Sequence, residues 1–256
     1  MTGGRPQQLE DLRDLVASLE PVVPAHERVL PVDPAVASLF PFGGLRRGTT
    51  LWIGGTAGAT TLALGLIAGP TRQGSWVGAL SVASVGWAAA AQLGVDLHRL
   101  AVVRADGPDW TVAAAALVDA FDIVLFGPDH RPARRDVLRI AARARERGTV
   151  VVAFGGAEQE RAWPGSDLRL HIQPDGTARW HGVGRGWGRL IGRRLQVTIS
   201  GRHGVDRPRV VELWSPGPAG VLDSPVTAPV TAPVTAPVDQ PRRDTARILQ
   251  FPAQPA

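Results

Sequence analysis

Between residues 49 and 154 the chain alternates short, uninterrupted apolar runs with helix-forming segments, and few folds accommodate that alternation. Thr49–Gly54, Ser75–Val82, Leu100–Val103, Asp122–Phe126 and Thr149–Phe154 read as strands. Thr60–Ala68, Trp87–Leu93, Thr111–Phe121 and Pro132–Arg147 read as the helices between them, the last with Pro at its first turn and Gly148 at its end. Strands without a polar alternation must be covered on both faces, which predicts an α/β fold with a mostly parallel sheet flanked by helices. After Phe154 the pattern changes. Asp167–Ile172, Thr177–Trp180, Leu195–Ser200 and Arg209–Trp214 read as strands joined by glycine-rich turns, an antiparallel extension of the sheet after residue 165.

The flanks differ from this core. Leu9, Leu12, Leu15, Val16 and Leu19 recur at helical spacing, Pro21 and Pro24 end the helix they predict, and an extended piece, Arg28–Val32, follows. From Ser215 onward the chain is Pro-rich and carries the tandem repeat P-V-T-A between Pro225 and Val238, which suits an extended, disordered spacer. The expected organisation is therefore an N-terminal helix and extended segment (1–40), a core (41–214) and a tail (215–256). Beyond the spacer, Ile248, Leu249 and Phe251 form an apolar cluster of the kind that short partner motifs present. Arg242, Arg243 and Arg247 balance Asp223, Asp239 and Asp244, so the net charge of +5 falls on the body.

Two absences narrow the chemistry. There is no Cys, which excludes thiol catalysis, disulfides and Cys-based metal sites. There is also no Lys: all 28 residues of the Lys+Arg count are Arg, so no mechanism here uses an ammonium. The six His show no metal-ligand spacing, and neither a metal site nor a catalytic residue is expected. No apolar stretch reaches the roughly 18 residues of a membrane span, and the first residues lack an apolar export core, so a cytoplasmic protein without membrane contact is expected.

The strand–turn–helix at Trp52–Leu64 stands where a phosphate-binding loop would stand. Such a loop reads G-x-x-x-x-G-K-[ST], its Lys reaching the β- and γ-phosphates and its hydroxyl binding magnesium. Here Gly58-Ala59-Thr60-Thr61 occupies the G-K-[ST]-T positions, and the first motif glycine falls on Ile53. The magnesium-orienting acid belongs at the end of the strand Asp122–Phe126, where the chain has Gly127, with Asp129 displaced beyond Pro128. Gly54, Gly55, Gly58, Ala59, Thr60 and Thr61 therefore form a vestigial phosphate loop. Its backbone N–H groups either retain an anion or serve a structural turn. No cofactor and no hydrolysis are expected.

Leu93–Trp110 (L-G-V-D-L-H-R-L-A-V-V-R-A-D-G-P-D-W) and Gly43–Gly48 (G-G-L-R-R-G) resemble bacterial RecA recombinases, over about residues 40 to 155. The departures are Ala59, Gly127, and V-A-S-V-G at Val82–Gly86, where the family has a catalytic Glu. The loop after Phe154 is also shorter than the family's DNA-binding loop. With the degenerate turn, the basic segment Gly184–Leu195 and a variable tail, the pattern resembles the actinobacterial ImuA-type proteins, RecA-like relatives with eroded nucleotide sites. That resemblance implies a RecA-like core and a non-enzymatic role in damage-induced mutagenesis and translesion synthesis. The implied partners are an ImuB-type Y-family polymerase relative and an alternative replicative-type DNA polymerase. Two alternatives stay open: a RecA-related DNA-binding protein with vestigial nucleotide affinity, and a regulator that sequesters a repair partner.

Two Arg-rich surfaces are candidates for DNA or an acidic partner. Arg135, Arg139, Arg143 and Arg147 recur every four residues along one helix, with Val137, Leu138, Ala141 and Ala144 on the core side. Like charges at that spacing repel, by a few tenths of a kcal/mol per pair. Arg185, Trp187, Arg189, Arg193 and Arg194 lie in a glycine-spaced stretch and suit either base stacking or a hairpin with solvated arginines.

Overall fold

The apolar runs become the centre of one sheet. In a computed structural model the described residues are 29–223, apart from 56, 174–179, 184–187, 203, 204, 206, 216 and 218–220. β1 (Val29–Pro31) pairs antiparallel with β2 (Gly44–Arg46), bracketing a short helix α1 (Pro34–Ala37). β3 (Thr50–Gly55), α2 (Ala59–Arg72), β4 (Val77–Leu80), α3 (Trp87–Gln92), β5 (Leu100–Val103), α4 (Gly107–Ala120), β6 (Ile123–Phe126), α5 (Arg134–Arg147) and β7 (Val150–Gly155) follow. The chain then forms α6 (Ala157–Glu160), β8 (Leu168–Ile172), β9 (Trp180–Val183), β10 (Gly188–Gly201) and β11 (Arg209–Trp214).

The sheet runs β11-β10-β8-β3-β7-β6-β4-β5, with β9 paired to β10. Every neighbour from β8 to β5 is parallel, and β10 is antiparallel to β8, β9 and β11. The antiparallel extension after residue 165 is thus present, but its first strand, β8, joins β3 in parallel. β10 then turns the direction. β3, β4, β6 and β7 are buried on both faces, as their composition requires.

One face of the sheet packs under α2, and α2 itself is covered on its far side. Its glycines make that possible: a Cβ on Gly65 would lie 2.0 Å from Leu222 Cδ1, and one on Gly69 would lie 2.8 Å from the Asp33 amide nitrogen. Leu30, Val32, Val36, Leu39 and Phe40 join this core, and Arg72 bonds Asp33 and the Gly94 carbonyl. Residues 29–40 are therefore built into the core. At the other end Ser215 and Leu222 are buried, and Trp214 and Asp223 exchange backbone hydrogen bonds. Packing onto the body runs on to Asp223, past the boundary that composition places at 215. The N-terminal helix expected over 6–19 and the tail beyond Asp223 lie outside the described residues.

The other face packs under α4 and α5 around Trp52, Trp110, Phe126 and Trp163, with Trp110 and Phe126 ring centroids 5.4 Å apart. On α5 the buried stripe is Val137, Ile140, Ala141 and Ala144, at i, i+3, i+4 and i+7. Leu138, expected on the core side, is 50% exposed. It lies one position, about 100° of helix rotation, off the stripe. Gly148 takes the left-handed conformation at the helix end (φ 72°), as its placement predicts.

The carboxylate of Asp167 anchors one edge of the sheet from within. Its Oδ2 accepts the Thr50 N–H at 2.9 Å, while its backbone carbonyl accepts the Arg202 N–H at 2.7 Å. Asp167→Ala strands the buried Thr50 donor, which costs about 1–3 kcal/mol, or roughly 2–4 °C of Tm for each kcal/mol. Asp167→Asn keeps an acceptor and should lose less; thermal denaturation of the two variants side by side checks the order.

Candidate functional site at the carboxyl edge of the sheet

The residues expected to form a vestigial phosphate loop do connect β3 to α2. Gly55 has φ 142°, and a Cβ there would lie 2.5 Å from the Ile172 carbonyl oxygen of β8. Gly58 takes the left-handed conformation (φ 92°) as the residue before α2, with no side-chain cap on the helix. Ala59 is buried at the first helical position, and Thr60 and Thr61 are half-buried behind it. Side chains of this chain's own β10 approach Gly58 closely. A Cβ on Gly58 would stand 2.9 Å from Arg193 Nη2 and 3.0 Å from Leu195 Cδ1, both from β10. Arg193 also donates from Nε to the Ser215 carbonyl at 3.3 Å, and burial pulls its pKa below the usual value. Beneath the turn, the Trp52 indole N–H is buried without a partner among the described residues, and a Cβ on Gly54 would approach it to 2.7 Å.

The second half of the site is closed by backbone. A Cβ on Gly127 would lie 2.0 Å from the Ser81 carbonyl oxygen, so the strand end that would carry a magnesium-orienting acid admits no side chain as it is packed. Ser81 has φ 59°, a left-handed conformation rare outside glycine, held by the Trp110 indole N–H donating to its Oγ at 3.0 Å. Asp129, displaced past Pro128, instead accepts from the Ser84 N–H and Oγ at 3.3 and 3.2 Å. It pins the Val82–Gly86 segment through Ser84.

The Arg-rich surfaces are partly committed elsewhere. On α5, Arg143 and Arg147 both bond Asp119 of α4, Arg147 at 3.0 Å, and the Arg143 hydrogen bond holds that carboxyl below its usual pKa. Asp119 thus relieves the like-charge repulsion along the helix. Arg135, 3.7 Å from Asp136, and Arg139, beside a shallow cavity between α4 and α5, keep the exposed end of the stripe. Arg194 bonds Glu212 and stacks over Trp214 at a partly solvent-exposed position of β10, while Arg193 is half-buried. Arg185 and Trp187, the side chain of Arg189, and Ile248, Leu249 and Phe251 lie outside the described residues.

Residues 38–165 match the family described as MT3502 N-terminal domain. An uncharacterized protein of Mycobacterium tuberculosis, Rv3395c, is 34% identical over 203 residues, covering 77% of this chain and 93% of that protein. The chain belongs to the MT3502 N-terminal domain family. The fold of this member is shared with the crystal structure of the RadB recombinase: the TM-score is 0.54 at 13% identity, over 74% of this chain and 96% of that one. The RecA-like α/β core read from the sequence is therefore the fold of this MT3502-family chain. None of its helices among the described residues is long and apolar enough to cross a membrane.

One cluster in the MT3502-family chain was missed by sequence reading. At the amino edge of the sheet, opposite the glycine turn, Arg46, Arg47, Arg145 and Arg202 surround Asp167 around a cavity of about 450 Å³. They come from three separated segments, so no local spacing announces them. Among the described residues no group of acidic or His side chains could hold a metal ion. The geometry at the carboxyl edge yields a direct test. Gly127→Asp, which would restore the acid, should destabilise the fold by about 1–3 kcal/mol or more through overpacking. Urea denaturation of Gly127→Ala and Gly127→Asp measures it; unchanged midpoints would show that the strand end has room.

Proposed function

We propose that this chain is a non-catalytic accessory protein of damage-induced mutagenic translesion DNA synthesis. In this reading it is a RecA-like scaffold in the cytoplasm that binds a Y-family polymerase-like partner, with an alternative replicative-type DNA polymerase in the same assembly. The observation that carries the reading is a RecA-like fold with Ala59 and Gly127 where nucleotide chemistry needs Lys and an acid. Lys is absent from the whole chain, so no other ammonium substitutes. Arg193 and Leu195 pack over the turn, and Ser81 crowds the strand end, which favours a structural use of both places. The resemblance of the degenerate turn and the basic Gly184–Leu195 stretch to ImuA-type proteins supports the mutagenesis role and the polymerase partners.

Two measurements test it. Titration calorimetry with ATP and magnesium should give no binding heat at millimolar nucleotide; measurable hydrolysis would overturn the non-catalytic reading. A pull-down with the Y-family polymerase relative encoded in the same genome should retain the full-length chain. Ile248→Ala/Leu249→Ala/Phe251→Ala should weaken that association about tenfold or more if these apolar anchors are the contact, with the body's thermal transition unchanged. No association of the full-length chain with that partner would overturn the accessory reading.

A further inference from the structure

The cavity at the amino edge of the sheet has the chemistry of a phosphate site, and its position is far from the glycine turn in the topology. The β2–β3 turn supplies Arg46 and Arg47, the last turn of α5 supplies Arg145, and Arg202 follows β10. Gly48 brings two of these segments together: a Cβ there would lie 3.2 Å from the Arg145 Cα, and its φ is 76°. Among the described residues, four arginines and one aspartate, Asp167, thus line a space of about 450 Å³.

That carboxylate is held from inside the sheet. The Asp167 side chain is only 3% exposed, its Oδ2 takes the Thr50 N–H, and its Oδ1 lies 3.7 Å from Arg145 Nη2. Asp122 bonds Arg47 at 2.9 Å. Among the described residues the uncharged lining is Gly48 and Thr49, which offer no aromatic face for a base and no apolar wall for a small ligand. A guanidinium fork matches two oxygens of one phosphate, and arginines in a cleft open to solvent can follow a backbone that passes through.

We propose that this Arg46–Arg47–Arg145–Arg202 cleft binds backbone phosphates of nucleic acid, without reading sequence. The inference does not depend on the polymerase-partner reading: loss of DNA binding would leave the pull-down result untouched. Because every cation that lines the cleft among the described residues is an arginine, binding should fall steeply with salt yet stay constant between about pH 6 and 9.

The test is fluorescence anisotropy of a fluorescein-labelled oligonucleotide, single-stranded and duplex, titrated with full-length protein at several salt concentrations. Arg46→Ala/Arg202→Ala leaves the Arg47–Asp122 and Arg145–Asp167 pairs in place. It should weaken binding about tenfold and lower the log–log salt slope by about 0.7–0.9 for each phosphate left without its arginine. Arg46→Lys/Arg202→Lys should recover part of the affinity, and Arg104→Ala, exposed just past β5 at the opposite edge of the sheet, should leave it unchanged. The thermal transition of each variant is recorded, and the Lys variant keeps the comparison valid if the Ala variant melts early. The proposal is overturned if the wild type binds neither oligonucleotide, or if the Arg46/Arg202 Ala variant binds both as the wild type does. It is equally overturned if inorganic phosphate, ATP or polyglutamate binds the cleft more tightly than the oligonucleotides do.

Discussion

β3 is flanked on both sides by parallel neighbours, β7 and β8, and is covered above and below, so its backbone has no access to water. Each of its donors must therefore be met inside the protein. Most are met by the ladders. At its first residue the Thr50 N–H is met by the carboxylate of Asp167, whose own N–H returns to the Thr50 carbonyl. This reciprocal pair sets β8 beside β3 and starts the reversal into β10. The same carboxylate then stands under Arg145. The two halves of the molecule, the parallel core and the antiparallel extension, meet at this pair.

The two edges of the sheet have opposite characters as a result. At the carboxyl edge, where open α/β sheets ordinarily bind ligands, β8 and β10 place Ile172, Arg193 and Leu195 against the glycine turn, and Ser81 crowds Gly127. At the amino edge the chain leaves a cleft in which arginines outnumber carboxylates. In a chain whose fold is shared with a recombinase, the carboxyl edge is crowded by the chain's own side chains and backbone, and four arginines meet at the amino edge.

Much of the fold was legible in the residues. Apolar runs at Thr49–Gly54, Asp122–Phe126 and Thr149–Phe154 could only be doubly covered strands, and Gly148 had to end a helix. The glycine turn was also legible, because Gly58-Ala59-Thr60-Thr61 is a local motif. Leu138 misled because an apolar residue at the boundary of a helical stripe counts the same in a sequence whichever way the helix rolls. Strand direction at β8 was hidden for a related reason: a buried run reads alike in parallel and antiparallel pairing. The N-terminal extended piece and Leu222 gave no sign of covering α2, since their approach depends on the missing side chains of Gly65 and Gly69 meeting segments far away in the chain.

By itself, then, the sequence determined the layered α/β class, the place of the glycine turn and the loss of its Lys, since periodicity, turn chemistry and residue identity are local. Only the tertiary structure decided that Gly127 has no room for an acid, that Asp119 takes up Arg143 and Arg147, and that Arg46, Arg47, Arg145 and Arg202 converge. Those are facts about distances between segments far apart in the chain, which packing of the sheet and helices sets and no local pattern encodes.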